Sequence, residues 1–356
     1  MKKTYILIGR FQPWHLGHHE IAKHALSKAD RLVIFVGSVN KAPDFKNPFS
    51  FEERKDFILK SLTSLQEEYL SQKKYKEIII LPINDYIYNN NKWLSEIYSS
   101  LINHGIDGSI DEIYLTGFPK DKTSDYLEYF PSWKKDFFKE KINNIDSEKI
   151  RKEYFEGDYH LKKKEDFNFP VTNAVNDYLY AFSHLKKSEK YLLLKDEFNF
   201  VKKYKKQYEN FPYKVPFLTG DAVVVCSGHI LLIKRRNLPG KGLYALPGGF
   251  VDYDKDYDQV ETAVRELYEE TKIKVPVAVV RGSIKKKIDF SDPFRSLRGR
   301  IFTKAVLIQL NDKDLPKVSS SNETTKSFWL PIGEIEKNKD KFFEDHYHII
   351  NTVIGL

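Results

Sequence analysis

Gly9-Arg10-Phe11-Gln12-Pro13-Trp14-His15-Leu16-Gly17-His18 is the stretch on which the fold turns. It follows a short apolar run, Tyr5–Gly9, and opens Gly17–Lys28, where apolar residues recur at helical spacing. Outward from it the pattern repeats. Leu32–Val36 predicts a second strand, Ser50–Leu65 a second helix, and Ile78–Pro82 and Glu112–Leu115 two further strands. Such alternation predicts an α/β parallel sheet with helices on both faces. Ligands of these sheets bind at the carboxyl ends of the strands, where Gly9–His18 and Gly37–Lys41 fall. A glycine there permits close backbone approach, and a helix start offers unpaired N–H groups to phosphate. His15 and His18 are placed to donate to a polyphosphate as charge builds on it.

The chain changes character further on. Val171–Glu209 has few breakers, apolar residues at helical spacing (Val175, Leu179, Phe182) and many lysines, which predicts helices ending one domain and linking it to the next. Asp221–Cys226, His229–Lys234 and Arg300–Gln309 then read as strands around one helix, Gln259–Thr271. That is an α+β layout, unlike the first half. We expect domains at 1–185 and 214–356, joined by a helical linker at 186–213. A length of 356 residues allows two cores, and 41% hydrophobic content with 22 Tyr and 25 Phe excludes a disordered chain.

A single cysteine, Cys226, excludes an internal disulfide framework and any multi-cysteine zinc site. The apolar runs are far shorter than the ~20 residues a membrane span needs, and Met1–Gly9 lacks a signal-peptide pattern. The expectation is a cytoplasmic protein with no membrane partner. The net charge of +8 is spread over scattered lysines and short runs, Lys162–Lys164 and Lys285–Lys287, which read as solvated surface. With no helix-turn-helix or zinc module, a nucleic-acid partner is not expected. A homo-oligomer stays open.

In Arg265-Glu266-Leu267-Tyr268-Glu269-Glu270, three carboxylates stand at i, i+3 and i+4, on one helical face. Carboxylates so crowded repel unless a cation offsets them, and a divalent ion with hard oxygen ligands suits them. Arg265 can pair with one of the carboxylates. Asp292–Arg300 adds three arginines, Arg295, Arg298 and Arg300, within six positions, forked groups suited to phosphates.

These motifs carry two resemblances. The Gly9–His18 stretch, with its His-x-Gly-His core, resembles the nucleotidyltransferase superfamily, and in its longer form the archaeal-type nicotinamide-nucleotide adenylyltransferases, which have a Rossmann-like fold. Asn47-Pro48-Phe49-Ser50 with Glu53-Arg54, and Gly117-Phe118-Pro119-Lys120-Asp121 with Ser124 and Tyr126, resemble further elements of that family. Asp146–Arg151 keeps Arg151 of a late Ser-x-Thr-x-x-Arg element but has Asp146 and Glu148 where Ser and Thr stand. The resemblance covers about residues 4–180 and implies transfer of AMP from ATP to nicotinamide mononucleotide, giving NAD and pyrophosphate with magnesium. It implies catalytic roles for Arg10, His15 and His18. Gly9, Phe11, Gln12, Gly17, Gly37, Asn47, Arg54, Gly117, Lys120, Asp121 and Arg151 would form the nucleotide-binding set. Trp93 suits base stacking or core equally.

Gly248-Gly249 followed by Arg265–Glu270 resembles the Nudix box, with departures. Two extra residues separate Gly249 from Arg265, the first box Glu is missing in either register (Lys255 or Tyr257), and Lys272 replaces the late Gly. Asp254, Asp256 and Asp258 are candidates for that Glu's place. The arginine stretch resembles that of Nudix proteins acting on ADP-ribose, including those fused to the adenylyltransferase above. The resemblance implies an α+β Nudix fold, a mixed sheet sandwiched by helices, and hydrolysis of ADP-ribose to AMP and ribose 5-phosphate. It places a metal, Mg2+ with Mn2+ as an alternative, on Gly249, Glu266, Glu269 and Glu270. Catalysis would fall to Glu269 and Glu270, with Glu323 as a late base, and binding to Arg295, Arg298 and Arg300. Two alternatives are a non-catalytic ADP-ribose sensor, against which the intact carboxylates argue, and a different phosphate acceptor for the first domain.

Overall fold

A computed structural model describes residues 1–118, 128–138, 145–185, 188–321 and 324–355. Lys120, Asp121, Ser124, Tyr126 and Glu323 therefore lie outside the described residues. The chain divides into two compact units, Met1–Asp196 and Glu197–Leu356. Among the described residues no helix is long and apolar enough to cross a membrane.

The first unit is built on a five-stranded sheet. Its strands are β1 (Lys2–Gly9), β2 (Arg31–Val36), β3 (Glu77–Pro82), β4 (Asp111–Thr116) and β5 (Lys134–Lys135), in the order β3-β2-β1-β4-β5, all parallel. Every residue of β2 is buried, as a strand covered on both faces requires. The helices are α1 (Leu16–Lys28), α2 (Phe51–Ser71), α3 (Asn90–Asn103), α4 (Ser147–Glu156) and α5 (Asn173–His184), with α6 (Ser188–Lys206) carrying the division between the units. Ser50 starts α2 with a reciprocal cap: its hydroxyl accepts from the Glu53 amide, and Glu53 Oε2 accepts from the Ser50 amide at 2.6 Å. Ile97 and Leu101 of α3 pack with Phe130 and Trp133 on the β1–β4 core, and Trp93 lies against that cluster.

The second unit holds a seven-stranded mixed sheet. Five strands run β10 (Ile284–Phe290), β11 (Ile301–Leu310), β6 (Phe217–Cys226), β7 (His229–Arg235) and β12 (Thr324–Pro331), with β8 (Tyr244–Ala245) on β7 and β9 (Gly248–Phe250) on β6. Among the described residues β11 and β6 pair in parallel and the other strand pairs of this sheet are antiparallel. The lysine run Lys285–Lys287 lies on the edge strand β10, where charge discourages pairing with another sheet. Helix α7 (Gln259–Thr271) packs against β6 through Val260, Ala263, Val264 and Leu267. Its approach depends on Gly220, where a Cβ would stand 2.1 Å from the Gln259 carbonyl oxygen. Helices α8 (Val277–Gly282) and α9 (His346–Ile354) complete the unit.

Candidate functional sites

At the carboxyl end of β1 the chain turns through Phe11, with φ of 52°, into α1. His15 is the N-cap of α1. Its Nδ1 accepts the His18 amide and the His18 Nδ1 accepts the His15 amide, both at 3.3 Å. With each Nδ1 accepting, the proton of each neutral ring sits on Nε2. The rings stack with centroids 3.6 Å apart, and the Phe11 ring stands edge-on to His18 at 4.9 Å. Gly17 makes room for this pair: a Cβ there would meet the His15 ring at 2.9 Å. A Cβ on Gly9 would likewise meet the Phe11 ring, at 2.8 Å.

Several expected binding residues turn inward and hold the loops of this site. Gln12, buried, donates to the Phe49 carbonyl at 2.9 Å and accepts the Phe49 amide at 3.0 Å. Arg54, 1% exposed, donates to the carbonyls of Ser50, Arg10 and Gly37 at 3.1, 2.7 and 2.6 Å. One guanidinium thus ties the ends of β1 and β2 to α2, and burial pushes its pKa down to about 10. Asn47 donates to the Asp44 carboxylate, while its own Oδ1 is buried without a partner among the described residues. On α4, Arg151 donates to the Gln12 carbonyl, and burial followed by the charge of Arg10 lowers it to about 10. Ser147 donates to the Pro13 carbonyl at 3.1 Å, and Asp146 caps the helix by accepting the Glu148 amide. A carboxylate therefore occupies the helix start where the family pattern has a neutral hydroxyl. Arg10 is exposed, and its charge acts through space on both buried arginines. Gly37 and Gly117 end β2 and β4 at the same edge, Gly37 donating to the Gly9 carbonyl at 2.9 Å.

In the second unit, α7 begins at Asp258, which accepts the Val260 and Glu261 amides. Arg265 organises the acidic face. It grips Asp256 with Nε and Nη2 at 2.8 and 2.7 Å, and its Nη1 donates to Glu266 at 2.8 Å and Glu269 at 2.9 Å. The Asp256 carboxylate is 1% exposed, and the Arg265 bond holds its pKa down at about 2. Of the three aspartates, Asp256 is thus the one that pairs with Arg265, Asp258 is the cap, and Asp254 and Tyr257 are exposed. Gly249 admits Glu266, since a Cβ there would lie 2.2 Å from its Oε1. Glu270 is buried and accepts the Gly248 amide at 3.0 Å; Glu269 is exposed. The donors are hard oxygens on one face, chemistry that fits a divalent cation. Among the described residues, however, no three His, Cys, Asp or Glu groups are already gathered as a metal cage.

The three arginines part company. Arg295, 4% exposed, is locked by Nε and Nη2 onto Asp345 at 2.9 and 3.0 Å, so its fork faces protein. Arg298 lies over the Phe250 ring at 5.0 Å, and its buried Nε has no partner among the described residues. Arg300 lies over Phe302 at 4.8 Å, and its buried Nη1 has no partner among the described residues.

Comparison with known proteins now bears on these two sites. A cytidylyltransferase-like family model matches residues 6–152, and a NUDIX domain model matches residues 216–353. The nicotinamide-nucleotide adenylyltransferase of Archaeoglobus fulgidus is 39% identical over 92 residues, 26% of this chain and 51% of that protein. The nicotinamide/nicotinic acid mononucleotide adenylyltransferase of Acinetobacter baylyi is 32% identical over 152 residues, 43% of this chain and 75% of that protein. The crystal structure of a bifunctional NMN adenylyltransferase/ADP ribose pyrophosphatase from Francisella tularensis superposes with a TM-score of 0.87 at 30% identity, over 100% of this chain and 99% of that one. The chain belongs to this bifunctional family. A second structure of the Francisella enzyme, complexed with AMP and a manganese ion, gives a TM-score of 0.85 at 29% identity. Against the Archaeoglobus protein the chain spans only about half of the relative's length.

Arg298 and Arg235 share the Phe343 ring, and Glu344 faces Arg298; the sequence analysis singled out none of Arg235, Phe343 and Glu344. Their one local signal is weak: Glu344-Asp345 is a pair of acids before a helix, and nothing in its spacing points to residues some fifty positions away.

Proposed function

We propose that the chain is a bifunctional enzyme of pyridine-nucleotide metabolism. The Met1–Asp196 unit transfers AMP from ATP to nicotinamide mononucleotide. A phosphate oxygen of the mononucleotide bonds to the α-phosphorus, the bond to the β-phosphate oxygen breaks, and pyrophosphate leaves, giving NAD. The work is positioning and charge neutralisation. His15 and His18, protonated on Nε2, donate to the phosphates, and Arg10 adds its charge to that of Arg54 and Arg151. The latter two, with Gln12 and Asn47, fix the loops that present the site.

The Glu197–Leu356 unit hydrolyses ADP-ribose to AMP and ribose 5-phosphate, water attacking one phosphorus of the diphosphate. When bound, a divalent cation, magnesium with manganese as an alternative, would be held by Glu266, Glu269, Glu270 and the Gly249 carbonyl, and would supply a more acidic water and neutralise diphosphate charge. Arg265, fixed by Asp256, orients Glu266 and Glu269. Arg298 and Arg300 bind phosphate, with Arg295 shaping their loop through Asp345. Lys120, Asp121 and Glu323 keep the roles that family resemblance gives them.

The observation that carries this reading is the presence, in one chain, of the capped His15–His18 pair and the Gly249–Glu266 contact, along with similarity to a two-activity enzyme over nearly all of its length. The test assays both reactions on two variants. His18→Ala abolishes NAD formation and spares ADP-ribose hydrolysis; Glu269→Gln with Glu270→Gln does the reverse. Hydrolysis at the parent rate by the double variant would overturn the carboxylate assignment.

A further inference from the structure

One cationic pair in the Glu197–Leu356 unit is assembled against its own repulsion. Arg235, the last residue of β7, has its Cζ 4.1 Å from the centre of the Phe343 ring, and Arg298 has its own 5.8 Å from the same ring. Burial, and after it the charge of Arg298, lowers the Arg235 pKa from its usual value. Acids compensate. Glu344 faces Arg298 at 3.7 Å, and Glu270 of α7 and Asp221 of β6 act on Arg235 through space.

Glu344 is itself held under strain, with φ of 46°, a region that non-glycine residues rarely occupy and that often marks functional sites. In that conformation its Oε1 accepts the Ser296 hydroxyl at 2.7 Å and the Leu297 amide at 3.0 Å, pinning the loop that carries Arg298. The next residue, Asp345, pins Arg295. Both arginines nonetheless keep donors to spare. Arg235 uses Nε on the Pro239 carbonyl at 3.0 Å, and among the described residues its Nη groups have no partner. The Arg298 Nε is buried and also without one.

Two guanidinium forks stacked on one ring, held there by strained and buried acids and within the field of the carboxylate helix, make a site for two linked phosphates. We infer that Arg235 and Arg298 form a diphosphate clamp, with Phe343 as its floor and Glu344 as the positioning residue that fixes Arg298. The clamp deepens the reading of this unit as an ADP-ribose hydrolase and rests on it. Arg235 takes phosphate oxygens through its Nη groups. It thereby distinguishes a diphosphate-linked nucleotide from a monophosphate product.

The test titrates the full chain, with chelator present to prevent turnover, with ADP-ribose, AMP and inorganic pyrophosphate in turn. Arg235→Ala weakens ADP-ribose at least tenfold and AMP less than threefold, and Arg235→Lys recovers part of the loss. In steady state, Glu344→Gln keeps the acceptor for Ser296 and Leu297 but removes the charge facing Arg298. It raises the KM for ADP-ribose several-fold and leaves kcat within twofold. Equal losses for ADP-ribose and AMP in Arg235→Ala, or no loss, overturn the clamp. Should the parent bind no ADP-ribose while Arg235→Ala still weakens pyrophosphate, the functional reading falls and the clamp stands.

Discussion

Replacing Gly249 by alanine separates chemistry from folding in the second unit. The added Cβ would lie 2.2 Å from Glu266 Oε1 and 2.6 Å from its Cδ, where real contacts begin near 3.0 Å. The carboxylate must therefore retreat by about 1 Å. It is the free end of a flexible side chain, so the fold loses under about 1 kcal/mol. For the reaction the same shift is large, because misplacing a group by ~1 Å costs on the order of 100-fold, or about 2.7 kcal/mol in the barrier. Arg265 Nη1, bonded to that oxygen at 2.8 Å, is pulled out of register with it. Gly248→Ala is the contrasting variant. Its Cβ would stand 2.6 Å from the Gly220 carbonyl oxygen and 2.9 Å from Asp221 Cα, backbone that cannot move without opening the β6–β9 pairing. That change destabilises the unit by about 1–3 kcal/mol. The assay measures AMP release from ADP-ribose, with NAD formation by the same sample as internal control and thermal unfolding alongside. Gly249→Ala within twofold of the parent in hydrolysis would refute the claim that Glu266 must sit against Gly249.

Two further outcomes follow from buried charges. Asp256 has a folded pKa of about 2 against 3.8 for the ordinary group, so its pairing with Arg265 stabilises the fold fully above pH ~4 and is lost as pH falls from about 4 to 2. The contribution is of the order of 2.5 kcal/mol, and Asp256→Asn flattens this acid limb in a pH series of thermal unfolding, whereas an unchanged limb would show the pair to be idle. Arg54→Ala strips buried donors from three carbonyls at the ends of β1, β2 and the start of α2. The first unit loses about 3 kcal/mol or more and NAD formation falls with it, while ADP-ribose hydrolysis holds; a variant unfolding with the parent would show the Arg54 ties to be dispensable.

The local units were legible in the chain before any folding. A strand feeding Gly9–His18 into a helix, and carboxylates at i, i+3 and i+4 on α7, are patterns written within one or two helical turns, and short-range geometry places those side chains together in any fold that keeps the helix. Ser50 and Glu53 likewise announce the start of α2. Which polar residues turn inward onto the chain itself was settled by packing between distant segments. Gln12, Arg54 and Asn47 read as binding residues, yet they spend their donors on Phe49, on three backbone carbonyls and on Asp44. Arg295 and Arg298 stand three positions apart, but Asp345 consumes the first and Phe250 and Phe343 stack the second. Asp254, Asp256 and Asp258 were equivalent until Arg265 selected the middle one. The physical reason is that a buried donor must find an acceptor wherever packing brings one, and the acceptor's place in the sequence has no bearing on that search.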